Sequence, residues 1–192
     1  MIKNTFYAFI HRMKYINRWG LMRNTSYENL KEHSFDVATI ALGIAKIGNL
    51  YYNQTYNCEK IAVMAMYHDT NETITGDMPT PIKYDNKIIT QAYKQLEEEA
   101  KNQILKMLPQ KLSNEYEQYF NIDEKSEQIV KAADRISALI KCLDEQNGGN
   151  NDFDSAKTLI EDSLKKIALP EVKRFIKDFL PSYTMTLDQL KK

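Results

Sequence analysis

The chain has 192 residues, of which 43% are hydrophobic and 27% charged, with 26 Lys plus Arg against 26 Asp plus Glu. That length fits one domain able to bury roughly 70% of its unfolded surface, and the even charge gives no global field toward nucleic acid or an anionic membrane. Two cysteines, Cys58 and Cys142, are too few for a disulfide framework and fit reduced thiols of a cytoplasmic protein.

Helix periodicity dominates the chain. Residues 4–13 place Phe6, Phe9, Ile10 and Met13 at spacings of three and four, which predicts a first amphipathic helix. Its apolar patch is cut short by His11 and Arg12 and lacks a small-residue cleavage site, so it does not read as a signal peptide. His11 reads as a packed or capping residue. Residues 34–48 are apolar nearly all round, which predicts a central helix; Thr39 and Lys46 interrupt the run, and it is too short to span a bilayer. Residues 59–68 form a second buried helix ending at His68. Residues 90–108 are long and amphipathic, with Glu97, Glu98 and Glu99 on the wet side and Pro109 as a stop. Residues 127–143 carry Ile129, Val130, Ala133, Ile136, Ile140 and Leu143. After the turn Asn147-Gly148-Gly149-Asn150, helices are expected at 153–167 and 171–180, with Pro170 and Pro181 as punctuation. No alternating strand, repeat or linker stands out. The expectation is a single all-α domain over residues 1–192.

Two of the three histidines fall into a pattern with carboxylates: His33, the pair His68-Asp69, and Asp134. A lone histidine near an apolar helix is more often packing than a ligand, and a His-Asp dipeptide alone is common. Asp134 lies between Val130 and Ala138 on a helix, where an ionised carboxylate costs several kcal/mol unless it is paired or coordinated. Adjacent His68 and Asp69 can share an ion only near a helix end, which is where they sit. Together the four residues read as ligands of one divalent transition metal ion, Co, Mn, Fe, Ni or Zn, with positions left for water and substrate.

The order His, His-Asp, Asp on a helical chain resembles the HD-domain metal phosphohydrolases. Asn17-Arg18-Trp19-Gly20-Leu21-Met22-Arg23-Asn24, Glu32-His33-Ser34, Ala65-Met66-Tyr67-His68-Asp69, the run Thr75 to Tyr84, Lys141-Cys142-Leu143 and Gly149-Asn150-Asn151 resemble the bacterial 5'-deoxynucleotidases of that superfamily. The resemblance covers most of the chain and implies an HD-domain helical bundle. It further implies metal-dependent hydrolysis of deoxyribonucleoside 5'-monophosphates by a homodimer. Compact relatives of this kind that release tripolyphosphate from a dNTP, and a non-catalytic nucleotide-binding protein, are the alternatives.

The neighbouring residues carry double readings. Arg18 suits a phosphate because its planar fork binds two oxygens. Trp19 by itself reads as core; the resemblance puts the Arg18-Trp19 pair on substrate, with the indole against the sugar's 2' carbon. Glu72, about one turn after Asp69, reads either as a general base for the attacking water or as a carboxylate at a helix N-terminus. Met78 and Thr80 each precede a proline and are biased toward extended backbone, so the segment from Asp77 through Met78, Pro79 and Thr80 to Pro81 reads as a stiff connection. The resemblance makes it a wall of the nucleoside pocket, with Asp77 on the sugar or the leaving 5' oxygen. Substrate contacts by Asp69 and Asp134 follow from their place at the metal. Lys83 is a candidate second phosphate group. Tyr51, Tyr52 and Tyr56 offer surface for self-association, and Arg135 next to Asp134 is a cation that could tune phosphate or base preference.

Overall fold

A computed structural model describes residues 4–191, so the expected domain's terminal residues 1–3 and 192 lie outside the described part. No strand occurs among the described residues; a single bridge pairs Asn17 with Asn29. The helices are α1 (Phe6–Ile10), α2 (Leu30–Tyr51), α3 (Cys58–Tyr67), α4 (Glu72–Thr75), α5 (Thr80–Lys83), α6 (Lys87–Leu105), α7 (Gln110–Phe120), α8 (Glu124–Asn147), α9 (Asp154–Lys165), α10 (Pro170–Phe179) and α11 (Leu187–Leu190). None is long and apolar enough to cross a membrane.

The central helix α2 begins four residues before the expected start because Asn29 and Glu32 form a capping box. The Asn29 side chain accepts from the Lys31 and Glu32 amides, and the Glu32 carboxylate accepts from the Asn29 amide at 3.3 Å. Satisfying these end groups fixes where the helix starts, and with it the direction in which His33 projects. Around α2 pack α3, α8 and α10, whose inward faces (Ile61, Met64, Ile129, Ile136, Val172 and Phe175) meet Val37, Ile40, Ala41 and Ile44 in the main core. A smaller core joins Phe6, Ile104 and Leu108, with Tyr67, Tyr116 and Phe120 packed against it. At Gly48 the chain must be bare, because a Cβ there would stand 2.6 Å from the Tyr56 ring.

Several expectations are corrected. The first helix is α-helical only to Ile10 and then tightens to a 3-10 turn over His11–Tyr15; three residues per turn stack Met13 under Ile10, which keeps Met13 buried. His11 stands at the C-cap position of α1 but is exposed, not packed. Pro109 does not simply end a helix: α6 stops at Leu105, and Pro109 is the N-cap of α7, which the sequence reading did not separate. Thr80 is not extended, since it opens α5 with Pro81 in the first turn, where a missing N–H breaks no helical bond. Tyr56 is not free surface: it packs on the core, and its hydroxyl donates to buried Glu171 at 2.6 Å.

The loop from Gly20 to Glu28 is held down by a buried polar knot at the end of α8. Glu145, 1% exposed, accepts from the Thr25 amide (2.9 Å) and hydroxyl (2.6 Å), from Lys141, and from the Asn150 side chain (2.7 Å), while Asn150 also donates to the Arg23 carbonyl. Removing one member leaves buried charge uncompensated, so Glu145→Ala is expected to cost about 3–5 kcal/mol of stability in chemical denaturation. Burial pushes the Glu145 carboxyl up, but the bonds from Lys141, Thr25 and Asn150 outweigh it and hold it well below its ordinary 4.5. A lowered folded pKa contributes stability that is complete above the unfolded pKa and is lost as pH falls through the folded one. The gap between wild type and variant should therefore narrow in acid; a constant gap would contradict this assignment.

Candidate metal centre

The expected ligands converge from three helices. His33 projects from the first turn of α2 with no exposed surface, His68 caps the C-terminal end of α3 with Asp69 following it, and Asp134 comes from the middle of α8. Ligand atoms of His33, His68 and Asp134 all lie within 4.8 Å of one another. Asp69 Oδ2 stands 3.0 Å from His68 Nε2 and 3.6 Å from His33 Nε2, and Asp134 Oδ1 stands 3.2 Å from His33 Nε2. Asp134 differs from its expectation in being 39% exposed: one side of it opens on a cleft of about 620 Å³ that also borders His68, Asp69 and Lys83.

The chemistry of this donor set fits a metal. Both Nε2 atoms are buried without a hydrogen-bond partner, although carboxylate oxygens are close. His68 Nδ1 faces the Ala65 carbonyl at 2.7 Å, which fixes its hydrogen there and leaves Nε2 bare for a cation. His33 Nδ1 has the Ser137 hydroxyl at 3.1 Å and Arg18 Nη1 at 2.8 Å; the guanidinium can only donate, so Nδ1 accepts from Arg18. Burial alone would lower the His68 pKa, but the Asp69 carboxylate outweighs it and raises it to about 9, so a cation bound at Nε2 would displace a proton from it. In the same way, burial pushes Asp69 up while His68, His33 and Arg18 hold it well below the carboxylate range.

Arg18 reaches the cluster from the opposite side. Its amide donates to the Glu28 carbonyl at 3.0 Å, and the Leu30 amide donates to Ile16 at 2.9 Å, a short ladder that sets the two segments side by side. Nη1 donates to Glu28 Oε2 at 2.7 Å and lies 2.8 Å from His33 Nδ1; Nη2 is 3.9 Å from Asp134. Burial opposes the Arg18 charge, but Glu28, Asp134, Asp69 and Asp77 together more than restore it. Trp19 is half-buried, tilted against Phe153 with centroids 5.2 Å apart. Its backbone sits at φ 61°, a left-handed conformation that costs a bulky residue of order 1–3 kcal/mol and tends to be kept where function needs it.

Glu72 opens α4, is 8% exposed, and leaves Oε2 without a partner. Burial first, then the charges of Asp69 and Asp77, push its carboxyl up to about 10, against the pull of Arg18 and Lys83. Asp77 is raised mainly by burial and lies near enough to feel Arg18, Asp69 and His33. Met78 and Pro79 are half-buried and Thr80 is exposed; no described hydrogen bond or ion pair ties their side chains to the ligand cluster. Lys83 lines the cleft but is paired with Glu97 at 2.7 Å. Arg135 is exposed and absent from the described contacts of the cluster, because the residue after Asp134 points about 100° round the helix. Sequence reasoning missed Glu28, Ser137 and Phe153. Ser137 lies one turn after Asp134 on the same helix face and had a periodic signal; Glu28 and Phe153 reach the site only through tertiary folding.

Comparison with known proteins shows the family and the fold. A sequence model described as YfbR-like 5'-deoxynucleotidase matches residues 5–183. Proteins named 5'-deoxynucleotidase from Yersinia pseudotuberculosis and Yersinia pestis are each 44% identical over 190 residues, covering 96% of this chain and 95% of theirs. Among solved structures, an HD-domain phosphohydrolase from Listeria innocua superposes with a TM-score of 0.82 at 19% identity, covering 98% of this chain and 92% of its own. The cyanophage S-2L HD phosphohydrolase, bound to dA and one catalytic Zn2+ ion, gives 0.67 at 19% identity, covering 93% of this chain and 96% of its own. The bundle is thus the HD-domain fold, and the chain belongs to the YfbR-like 5'-deoxynucleotidase family.

Proposed function

We propose that this protein hydrolyses deoxyribonucleoside 5'-monophosphates to deoxyribonucleoside and phosphate, with one divalent transition metal ion held by His33, His68, Asp69 and Asp134. The observation that carries the reading is the convergence of two unpartnered imidazole nitrogens and two carboxylates beside Arg18 and Trp19, in a chain 44% identical to named 5'-deoxynucleotidases. A divalent ion in that position supplies Lewis acidity, acidifying water and drawing charge from a phosphoryl oxygen. Arg18 holds the phosphate, since phosphoryl transfer is chiefly positioning and charge stabilisation. Glu72 takes the proton of the attacking water: its carboxyl lies beside the ligand cluster with Oε2 unpartnered, and a divalent ion there would offset the neighbouring carboxylates that push its pKa up, leaving it ionised to act as base. Trp19 walls the 2' side of the sugar, Asp77 contacts the sugar or the leaving 5' oxygen, and Met78, Pro79 and Thr80 border the nucleoside.

A monophosphate is favoured over a triphosphate by the 44% identity to named 5'-deoxynucleotidases. Of the lysines lining the cleft, Lys83, Lys101 and Lys131 face Glu97, Glu98 and Glu127 at 2.7, 2.6 and 2.6 Å, while Lys94 has no ion pair among the described contacts. The buried free thiols Cys58 and Cys142 suit a reducing cytoplasm. Exposed Phe35, Leu50 and Tyr51 support self-association as a homodimer. Two measurements test the substrate reading. Phosphorus NMR of dAMP and dATP digests should show inorganic phosphate from dAMP and no tripolyphosphate from dATP; tripolyphosphate would move the protein to the triphosphohydrolase alternative. Arg18→Ala should lower kcat/KM for dAMP by roughly a hundredfold or more with the fold intact, and near-normal turnover would remove Arg18 from the phosphate.

A further inference from the structure

One oxygen of Glu28 does two jobs. Oε2 accepts from Arg18 Nη1 at 2.7 Å and from Trp19 Nε1 at 3.1 Å, and the carboxylate is only 13% exposed. The other oxygen stays 3.9 Å from His33 Nδ1, on the side of the ring away from the clustered ligand atoms, so Glu28 is not a metal ligand. The bridge between Asn17 and Asn29 and the hydrogen bond from the Arg18 amide to the Glu28 carbonyl set the Glu28 backbone beside that of Arg18, with the carboxylate against both side chains.

Each contact has a distinct consequence. Arg18 in a nearly buried position needs a counter-charge to stay folded into the site, and a fixed pair on Nη1 leaves Nη2 on the side of the ligand cluster, 3.9 Å from Asp134. The Trp19 indole is held by the tilted Phe153 ring, by the Arg18 guanidinium 5.9 Å over its own ring, and at its Nε1 edge by Glu28. A hydrophobic surface rejects an added hydroxyl only weakly, so rejection of a 2'-hydroxyl by an indole requires that the ring be unable to turn away. Packing on one face leaves that rotation open; the hydrogen bond at Nε1 closes it.

We infer that Glu28 is the positioning residue that couples phosphate binding to sugar discrimination, holding Arg18 on the phosphate and locking Trp19 against the 2' position. This rests on the deoxynucleotidase reading above. The test compares Glu28→Gln and Glu28→Ala with wild type as metal-loaded full-length proteins, measuring kcat/KM for dAMP and for AMP. Trp19 is the sole tryptophan beside 12 tyrosines, so fluorescence excited at the red edge, where tyrosine does not absorb, reports on that ring.

Glutamine keeps an oxygen for Nε1 but no charge for Arg18: dAMP turnover should fall by roughly tenfold or more, with the dAMP-to-AMP ratio within about threefold of wild type. Alanine releases both: the ratio itself should fall by roughly tenfold or more, the emission should shift to the red, and acrylamide quenching should rise. A Glu28→Ala protein with wild-type ratio and emission overturns the inference. If Glu28→Ala does not fold, wild-type dAMP turnover in Glu28→Gln overturns it instead. A wild type without preference for dAMP over AMP defeats the deoxynucleotidase reading and with it the role in discrimination, while unchanged fluorescence in Glu28→Ala separately defeats the link between Glu28 and Trp19.

Discussion

Glu72→Gln is expected to lower kcat for a deoxynucleoside monophosphate by about a thousandfold, within the range that general acid–base groups contribute, while leaving bound metal at the wild-type level. Glu72 sits beside the ligand cluster and not in it: its carboxyl feels Asp69 and Asp77, while the mutually close ligand atoms belong to His33, His68 and Asp134. An amide of the same shape fills the same space and cannot take a proton from water. The buried, unpartnered Oε2 is also a liability for the fold, since a buried polar atom without a hydrogen-bond partner is costly in either protonation state. The variant's melting temperature should therefore equal or exceed that of wild type, as for other groups kept for activity at the expense of stability. Loss of metal, or turnover within about threefold of wild type, would take the proton-handling role away from Glu72.

Asp134→Ala should fail in a different way, losing metal and activity together. Removing even an outer partner of a metal ligand costs 10–100-fold in affinity, and a ligand itself at least about a hundredfold. At a metal concentration about 100 times the wild-type dissociation constant, binding stabilises the native state by about 2.7 kcal/mol; a hundredfold weaker site leaves about 0.4. The metal-dependent rise in melting temperature should thus nearly vanish in Asp134→Ala and persist in Glu72→Gln. Because Asp134 comes from α8 while His33 and His68 come from α2 and α3, that rise also measures how far the ion ties the three helices together. An undiminished metal-induced shift in Asp134→Ala would exclude it as a ligand.

The main core could be read from the chain because it rests on local periodicity. The apolar stripes of α2, α3 and α8 announce buried helices, and a carboxylate placed inside one of them announces an unusual partner. Helix ends were harder, since they depend on a few side chains: Asn29 and Glu32 moved the start of α2, and Pro109 proved to open α7. The four residues proposed as ligands could be picked out because imidazole and carboxylate are scarce in apolar helices. Glu28 was not, because a carboxylate in a polar loop looks the same whether it is solvated or buried against Arg18 and Trp19. The Glu145 knot was hidden for the same reason, as its partners Thr25 and Asn150 lie in loops distant in sequence. Trp19 illustrates both sides: its type suggested core and the resemblance suggested substrate, but its left-handed backbone appears only in three dimensions.

The most direct measurement is phosphate release by the wild-type protein from dAMP and AMP in parallel, with added Co, Mn or Zn and again with a chelator. Metal-dependent release from dAMP, abolished by the chelator and weak or absent with AMP, is the predicted result. Equal release from dAMP and AMP would contradict the role given to Trp19, and release from dAMP that survives full metal removal would contradict the metal centre itself.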